Sequence, residues 1–140
     1  MSGKFFLDTN VFVYVFDTTA PARARKAARL VRDAVDTGTG VVSYQVVQEF
    51  FNVAFRRFAP PMSVAEAEQY LITVFRPLLA IHSSPALYVE ALRIAGKYRF
   101  AWYDSIVIAS ALEGHCDTLY SEDFQHGRKI EGLQIENPFR

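Results

Sequence analysis

Asp8, Glu49, Asp104 and Asp123 share a setting: each borders an apolar run where an element should begin or end. Asp8 closes the run Phe5, Phe6, Leu7 and is followed by Thr9 and Asn10, as at a buried strand turning into a helix. Glu49 lies among Val46, Phe50 and Val53, with Gln45 and Asn52 as its only polar company at helical spacing, which reads as a buried carboxylate in need of a partner such as a cation. Asp104 precedes the apolar stretch 106–112, and Asp123 follows the short run Thr118, Leu119, Tyr120. Carboxylates gathered within a few ångströms repel and raise one another's pKa unless a cation neutralises them. Ligation by oxygen alone suits Mg²⁺ or Mn²⁺, which retain waters and accept phosphate oxygens. The chemistry implied is metal-assisted hydrolysis of a phosphodiester, in which no Ser, Cys or His nucleophile is required. Simpler roles also fit: Asp8 as a helix N-cap, and Asp104 as an acid favoured by a helix dipole.

Other chemistries find less footing. Cys116 follows His115 directly, where adjacent side chains diverge, and His82, His115 and His126 lack metal-ligand spacing. The chain has neither a phosphate loop nor a dinucleotide glycine fingerprint. Its 15 basic and 15 acidic residues cancel, so any polyanion site must be a local patch. One cysteine excludes an internal disulfide. With 51% hydrophobic residues over 140 positions, no signal peptide and no apolar run of membrane-spanning length, a single cytoplasmic domain over residues 1–140 is expected.

The elements that must position the acids alternate. A helical turn or two covers residues 10–16, and a basic amphipathic helix covers 20–36, carrying Arg23, Arg25, Lys26, Arg29 and Arg32 on a face that reads as solvated. A very short strand at 41–43 leads through Ser43, a cap, into a helix to about 58. Ser63 and Glu66 form a capping box for a helix to about 75, and the run 78–81 is a short strand. Tyr70, Leu71, Val74 and Phe75 read as core or as a subunit interface. Ser84 and Pro85 open a helix to about 98. The next helix, entered through Trp102, Tyr103 and Asp104, is apolar nearly all round and therefore central, with the two aromatics read as packing. Thr118 to Tyr120 form a strand, and 133–135 an edge-like last one. The pattern predicts a three-layer α/β/α domain around a parallel sheet of about four or five strands.

Leu-Asp-Thr-Asn at 7–10, Gln-Glu-Phe at 48–50, Tyr-Asp-Ser-Ile-Val-Ile-Ala-Ser-Ala-Leu at 103–112 and Leu-Tyr-Ser-Glu-Asp at 119–123 together resemble the PIN-domain nucleases. Within these the chain is similar to the VapC-type toxins of bacterial toxin–antitoxin pairs, over about residues 4–139. The resemblance implies a metal-dependent endoribonuclease using Mg²⁺ or Mn²⁺. By position, Asp8, Glu49 and Asp104 match its three core acids and Asp123 its fourth, with Glu122 beside it as the competing acid. Ser121 takes the hydroxyl position, and Asn10 matches the polar residue that helps orient the first acid. A homodimer and a small antitoxin covering the active site are implied as partners. Two alternatives remain: a non-catalytic RNA- or protein-binding module of the same fold, and a haloacid-dehalogenase-type phosphatase. The phosphatase needs a second Asp two residues after the first, where this chain has Asn10.

Overall fold

A computed structural model describes residues 2–140. The strands are β1 (Phe5–Leu7), β2 (Gly40–Ser43), β3 (Leu79–Ile81), β4 (Thr118–Tyr120), β5 (Lys129–Ile130) and β6 (Leu133–Glu136). They join in one sheet of order β3-β2-β1-β4-β6-β5, in which only the β5 and β6 pair is antiparallel. The helices are α1 (Thr9–Val15), α2 (Pro21–Thr37), α3 (Tyr44–Arg56), α4 (Val64–Tyr70), α5 (Arg76–Leu78), α6 (Pro85–Tyr98) and α7 (Trp102–Glu113). A π-helical turn, Leu71–Phe75, carries α4 into α5 without a break. The expected α/β/α architecture is therefore present.

Three expectations differ from the structure. The sheet has six strands among the described residues, where four or five were expected, because β5 is only two residues long and too short to show a period. It is tied to β6 by the two-residue loop Glu131 and Gly132, both at positive φ, a turn whose twist matches that of the strands it joins. Strand β6 is consequently interior, flanked by β4 and β5, and not an edge. The helix expected to stop near 75 runs to Leu78 and takes Pro77 into its last short segment.

Layering follows from strand alternation. A side chain added at Gly40 would meet Cβ of Ala34 in α2 at 2.2 Å, while Val41 Cγ1 faces Gly114 at the end of α7. Neighbouring strand residues point to opposite faces, so α2 and α7 cover opposite sides of β2. Helix α7 is buried on nearly every side, as its unbroken apolar body requires, with Ser105 to Ala111 out of solvent. The strand order turns back at β1: its first crossover leads to β2 on one side, and the chain returns to β4 on the other. Such a reversal opens a crevice at the carboxyl ends of the two strands. Asp8 and Ser121 are the residues that directly follow them. Among the described residues no helix is long and apolar enough to cross a membrane.

Gly40 lets α2 approach the sheet closely. Gly40→Ala forces a methyl against Cβ and Cα of Ala34, and overpacking of this kind is expected to cost about 1–3 kcal/mol. Urea unfolding measures it, and a midpoint equal to that of the parent chain would contradict the close packing described.

Candidate active site

The side chains that the spacing singled out converge at that crevice. Asp8 is 7% exposed. It caps α1: its Oδ1 accepts from the Thr9 backbone N–H at 2.8 Å, and its Oδ2 accepts from the Ser121 hydroxyl at 2.8 Å. The backbone N–H of Asp8 donates to the Tyr120 carbonyl at 3.1 Å, fixing the acid to the end of β4 as well as β1. Ser121 Oγ in turn accepts from the Asp123 N–H at 3.1 Å, so one hydroxyl sets both the direction of Asp8 and the turn that carries Asp123. Capping and site placement thus coexist in Asp8.

Glu49 differs from its sequence reading. It lies on the exposed side of α3 and not buried among its apolar neighbours, because Val46 and Phe50 turn inward while position 49 faces the crevice. Its carboxylate accepts from the Gln45 amide at 2.6 Å and the Thr9 hydroxyl at 3.3 Å. Asp104, in the first turn of α7, is half-buried, and Asp123 is exposed.

Asn10 also departs from expectation. Its amide donates to Glu122 Oε1 at 3.2 Å and not to Asp8. Tyr14, one turn further along α1, donates its phenol to the same Glu122 oxygen. Glu122 is thereby held against α1, and Asp123 is the neighbour that faces the other acids. Orientation of Asp8 falls instead to Thr9 and Ser121. Thr9, Gln45 and Tyr14 went unassigned in the sequence. The available signal was geometric: Gln45 stands four residues before Glu49, one helical turn away.

Electrostatically the four acids form one system. Burial raises Asp8 from the ordinary 3.8 to about 6 against the lowering pull of Ser121 and Thr9, with the charges of Asp123 and Glu49 adding to the rise. Asp123 is raised by burial first and then by the charges of Glu122, Asp104 and Glu49. Burial alone raises Asp104. Among the described residues none of the four joins an ion pair with Lys, Arg or His. The cluster therefore carries negative charge that no protein cation offsets, on hard oxygen donors only, which is the chemistry of a divalent-cation site. As placed, no three such side chains among the described residues close round a common point at ligand distance. Asp8 and Glu49 are each turned toward their own hydrogen-bond donors. Cys116 offers no rival nucleophile: it is buried, and burial pushes its thiol up to about 12.

The comparisons bear on the fold and the family. The model of the PIN domain family matches residues 5–130. No curated protein matches the sequence. Among solved structures, a toxin–antitoxin complex from Klebsiella pneumoniae is 15% identical with a TM-score of 0.69, covering 97% of this chain and 98% of that one. VapC20 of Mycobacterium tuberculosis, described as a Sarcin-Ricin loop cleaving toxin, is 22% identical with a TM-score of 0.64 over 86% of this chain and 90% of its own. VapBC2 from Rickettsia felis, bound to a DNA fragment from its promoter, is 14% identical with a TM-score of 0.65 over 94% and 96%. At these identities the likeness is one of fold.

Because the folded chain holds the Asp8 proton up to about pH 6 and the unfolded chain only to about 3.8, stability from this group is fully present below 3.8 and lost as pH rises through 6. Asp8→Asn in the presence of chelator should remove that decline and stabilise the protein at pH 7 by about 1–3 kcal/mol. Urea unfolding between pH 4 and 8 checks it. Destabilisation of the variant at every pH would contradict the assignment.

Proposed function

The chain belongs to the PIN-domain family, and from that membership we propose that it is an endoribonuclease dependent on Mg²⁺ or Mn²⁺, acting as the toxin of a toxin–antitoxin pair. Membership and the VapC-like neighbours support the coarser reading of a toxin nuclease, a hydrolase. The observation that carries the finer reading is the charge balance of the crevice: the charges of Asp123 and Glu49 raise Asp8, those of Asp104 and Glu49 raise Asp123, and none of the four acids is met by a protein cation among the described residues. In this reading Asp8, Glu49, Asp104 and Asp123 hold the ion and form the catalytic set. The chemistry a bound divalent cation supplies is a lowered pKa for an attacking water and relief of negative charge on the phosphate.

The protein's own groups do the positioning. Thr9 N–H and the Ser121 hydroxyl each occupy a lone pair on one oxygen of Asp8, so both oxygens keep acceptor capacity for an ion. Gln45 and Thr9 lean Glu49 over the same space, where its remaining lone pairs accept a hydrogen from water and so orient it. Asn10 and Tyr14 hold the Glu122 carboxylate against α1, from where its charge still raises Asp123. Asp104 comes from the first turn of the buried helix α7, close enough for its charge to raise Asp123. Residues 1–140 form a single nuclease domain in this reading.

Partners follow from likeness. The Klebsiella and Rickettsia neighbours are toxin–antitoxin assemblies by description, which supports an antitoxin as partner; that it is small, and that the toxin is a cytoplasmic homodimer, are part of the same proposal. The exposed basic residues Arg25, Lys26, Arg29 and Arg32 of α2 are available to an RNA backbone.

Purified protein should cleave RNA with Mg²⁺ or Mn²⁺, and chelator, Asp8→Asn or Asp104→Asn should each lower the rate by about 100-fold or more. Gel analysis of end-labelled RNA reads the outcome. Cleavage that survives both chelator and Asp8→Asn would refute the mechanism.

A further inference from the structure

The end of β6 and the residues after it, Glu136 to Phe139, are held at three places, and each bears on the loop that carries Asp123. That loop joins β4 to β5. At its start, the Ser121 backbone N–H donates to the Glu136 carbonyl at 3.0 Å. Further along it, His126 Nδ1 accepts from the Asn137 N–H at 2.9 Å. Asn137 then bends the chain: its Oδ1 accepts from the Phe139 N–H at 2.9 Å, the turn that an Asn side chain builds with the backbone two residues on. The bend brings the Phe139 ring to Tyr14 of α1, with centroids 5.1 Å apart and planes at 78°, an edge-to-face contact.

Tyr14 stands apart from the aromatic cluster round Phe50, and among the described residues its one ring partner is Phe139. The guanidinium of Arg23 lies over the Tyr14 ring, 3.6 Å from its centroid, and is tied to Asp17 at 2.7 Å. Cation and neighbouring ring together fix the direction of the phenol, which donates to Glu122. The sense of that bond is set, because an ionised carboxylate only accepts. Asn10 donates to the same Glu122 oxygen at 3.2 Å. Glu122 is therefore pinned to α1 from two sides, and Asp123 is the next residue.

Asp123 depends on such support more than Asp8 and Glu49 do. Those two have donors that aim their carboxylates. Asp123 is placed through its backbone, by the N–H that donates to Ser121 Oγ at 3.1 Å. It also stands in a loop, where the order of the backbone decides where the carboxylate can reach. Ordering a loose segment during binding is subtracted from affinity, so a loop held in advance binds an ion more tightly.

We propose that Phe139 is a positioning residue for Asp123: residues 136–139 strap the β4–β5 loop, and Phe139, through the Tyr14 phenol and Glu122, keeps that loop where Asp123 meets a divalent cation. The proposal rests on the metal-dependent reading and adds to it a residue outside the acids, acting through contacts with α1.

Amide exchange at Asp123 reads the strap in the full chain without metal or RNA. In chelator, Phe139→Ala should speed that exchange by about 2-fold to 12-fold, the worth of one aromatic pair, and leave the amides of β1 and β4 at parental rates. Calorimetric titration with Mn²⁺ should show affinity lowered by the same factor, and Phe139→Tyr, which keeps the ring, should restore both readouts. Tyr14→Phe keeps the ring contact and removes the phenol, so in that background Phe139→Ala should have little further effect on either. If Phe139→Ala does not fold, Asn137→Ala, which loses the acceptor that turns Phe139 inward, takes the same test. Parental exchange at Asp123, parental Mn²⁺ affinity, exchange rising equally through β1 and β4, or an undiminished effect of Phe139→Ala in Tyr14→Phe would each overturn the proposal and leave the nuclease reading standing. Faster exchange confined to the loop, with a parent chain that binds no Mn²⁺, would uphold the strap and defeat the metal-dependent reading instead.

Discussion

Everything at the carboxyl edge of this sheet depends on one hydrogen bond, from the Ser121 hydroxyl to the buried carboxylate of Asp8. An acid taken out of water must be given donors or it will hold its proton. Here the donors come from two sources that only the tertiary fold brings together: the backbone at the start of α1 and a side chain at the end of β4. The strand pairing of β1 with β4, Phe6 opposite Leu119 and Leu7 opposite Tyr120, is what sets Ser121 beside Asp8. The same hydroxyl accepts from the Asp123 N–H, so the acid of the β4 loop is indexed to the acid of β1 through a single atom. The net effect is a crevice in which negative charge is held in place by neutral donors, and its neutralisation is left to something from outside.

Rigidity behind the crevice comes from aromatic packing. Phe50, adjacent to Glu49, is fully buried and stacks on Tyr70 at 5.1 Å, while its edge contacts reach Phe75 and Phe12. A helix anchored so close to its acid cannot rotate to carry Glu49 away without breaking several ring contacts at once. Phe12 plays the corresponding part for α1, two residues beyond Asn10.

Much of this was legible from sequence because it is local. Caps at Ser43, Ser63 and Ser84, the uniform apolarity of α7 and the strand-to-acid junctions at Asp8 and Asp123 announce themselves in a few consecutive residues, and the helix bounds follow. Across-chain pairings were not legible. The Asn10 bond to Glu122 spans 112 positions, and nothing near Asn10 indicates that its partner is Glu122 and not Asp8. Glu49 was misread for a related reason: periodicity marks which neighbours are apolar but not that the face between them borders a crevice. Trp102 and Tyr103 show the limit of composition, since aromatic side chains are placed inside by area alone, whereas here Tyr103 is 68% exposed and Trp102 40%. Strand β5, two residues long, is defined by its hairpin partner and has no identity of its own.

The outermost strands bear on how copies of this chain can meet. The sheet ends in β3, with three residues, and β5, with two. A row of free backbone N–H and C=O groups is what lets one sheet recruit another strand and grow into a fibril, and that requires length. Edges this short offer too few groups to template such addition. Association of the folded chain is thereby confined to side-chain surfaces, where shape and charge can discriminate among partners, and continuous backbone pairing, which cannot discriminate, is closed off.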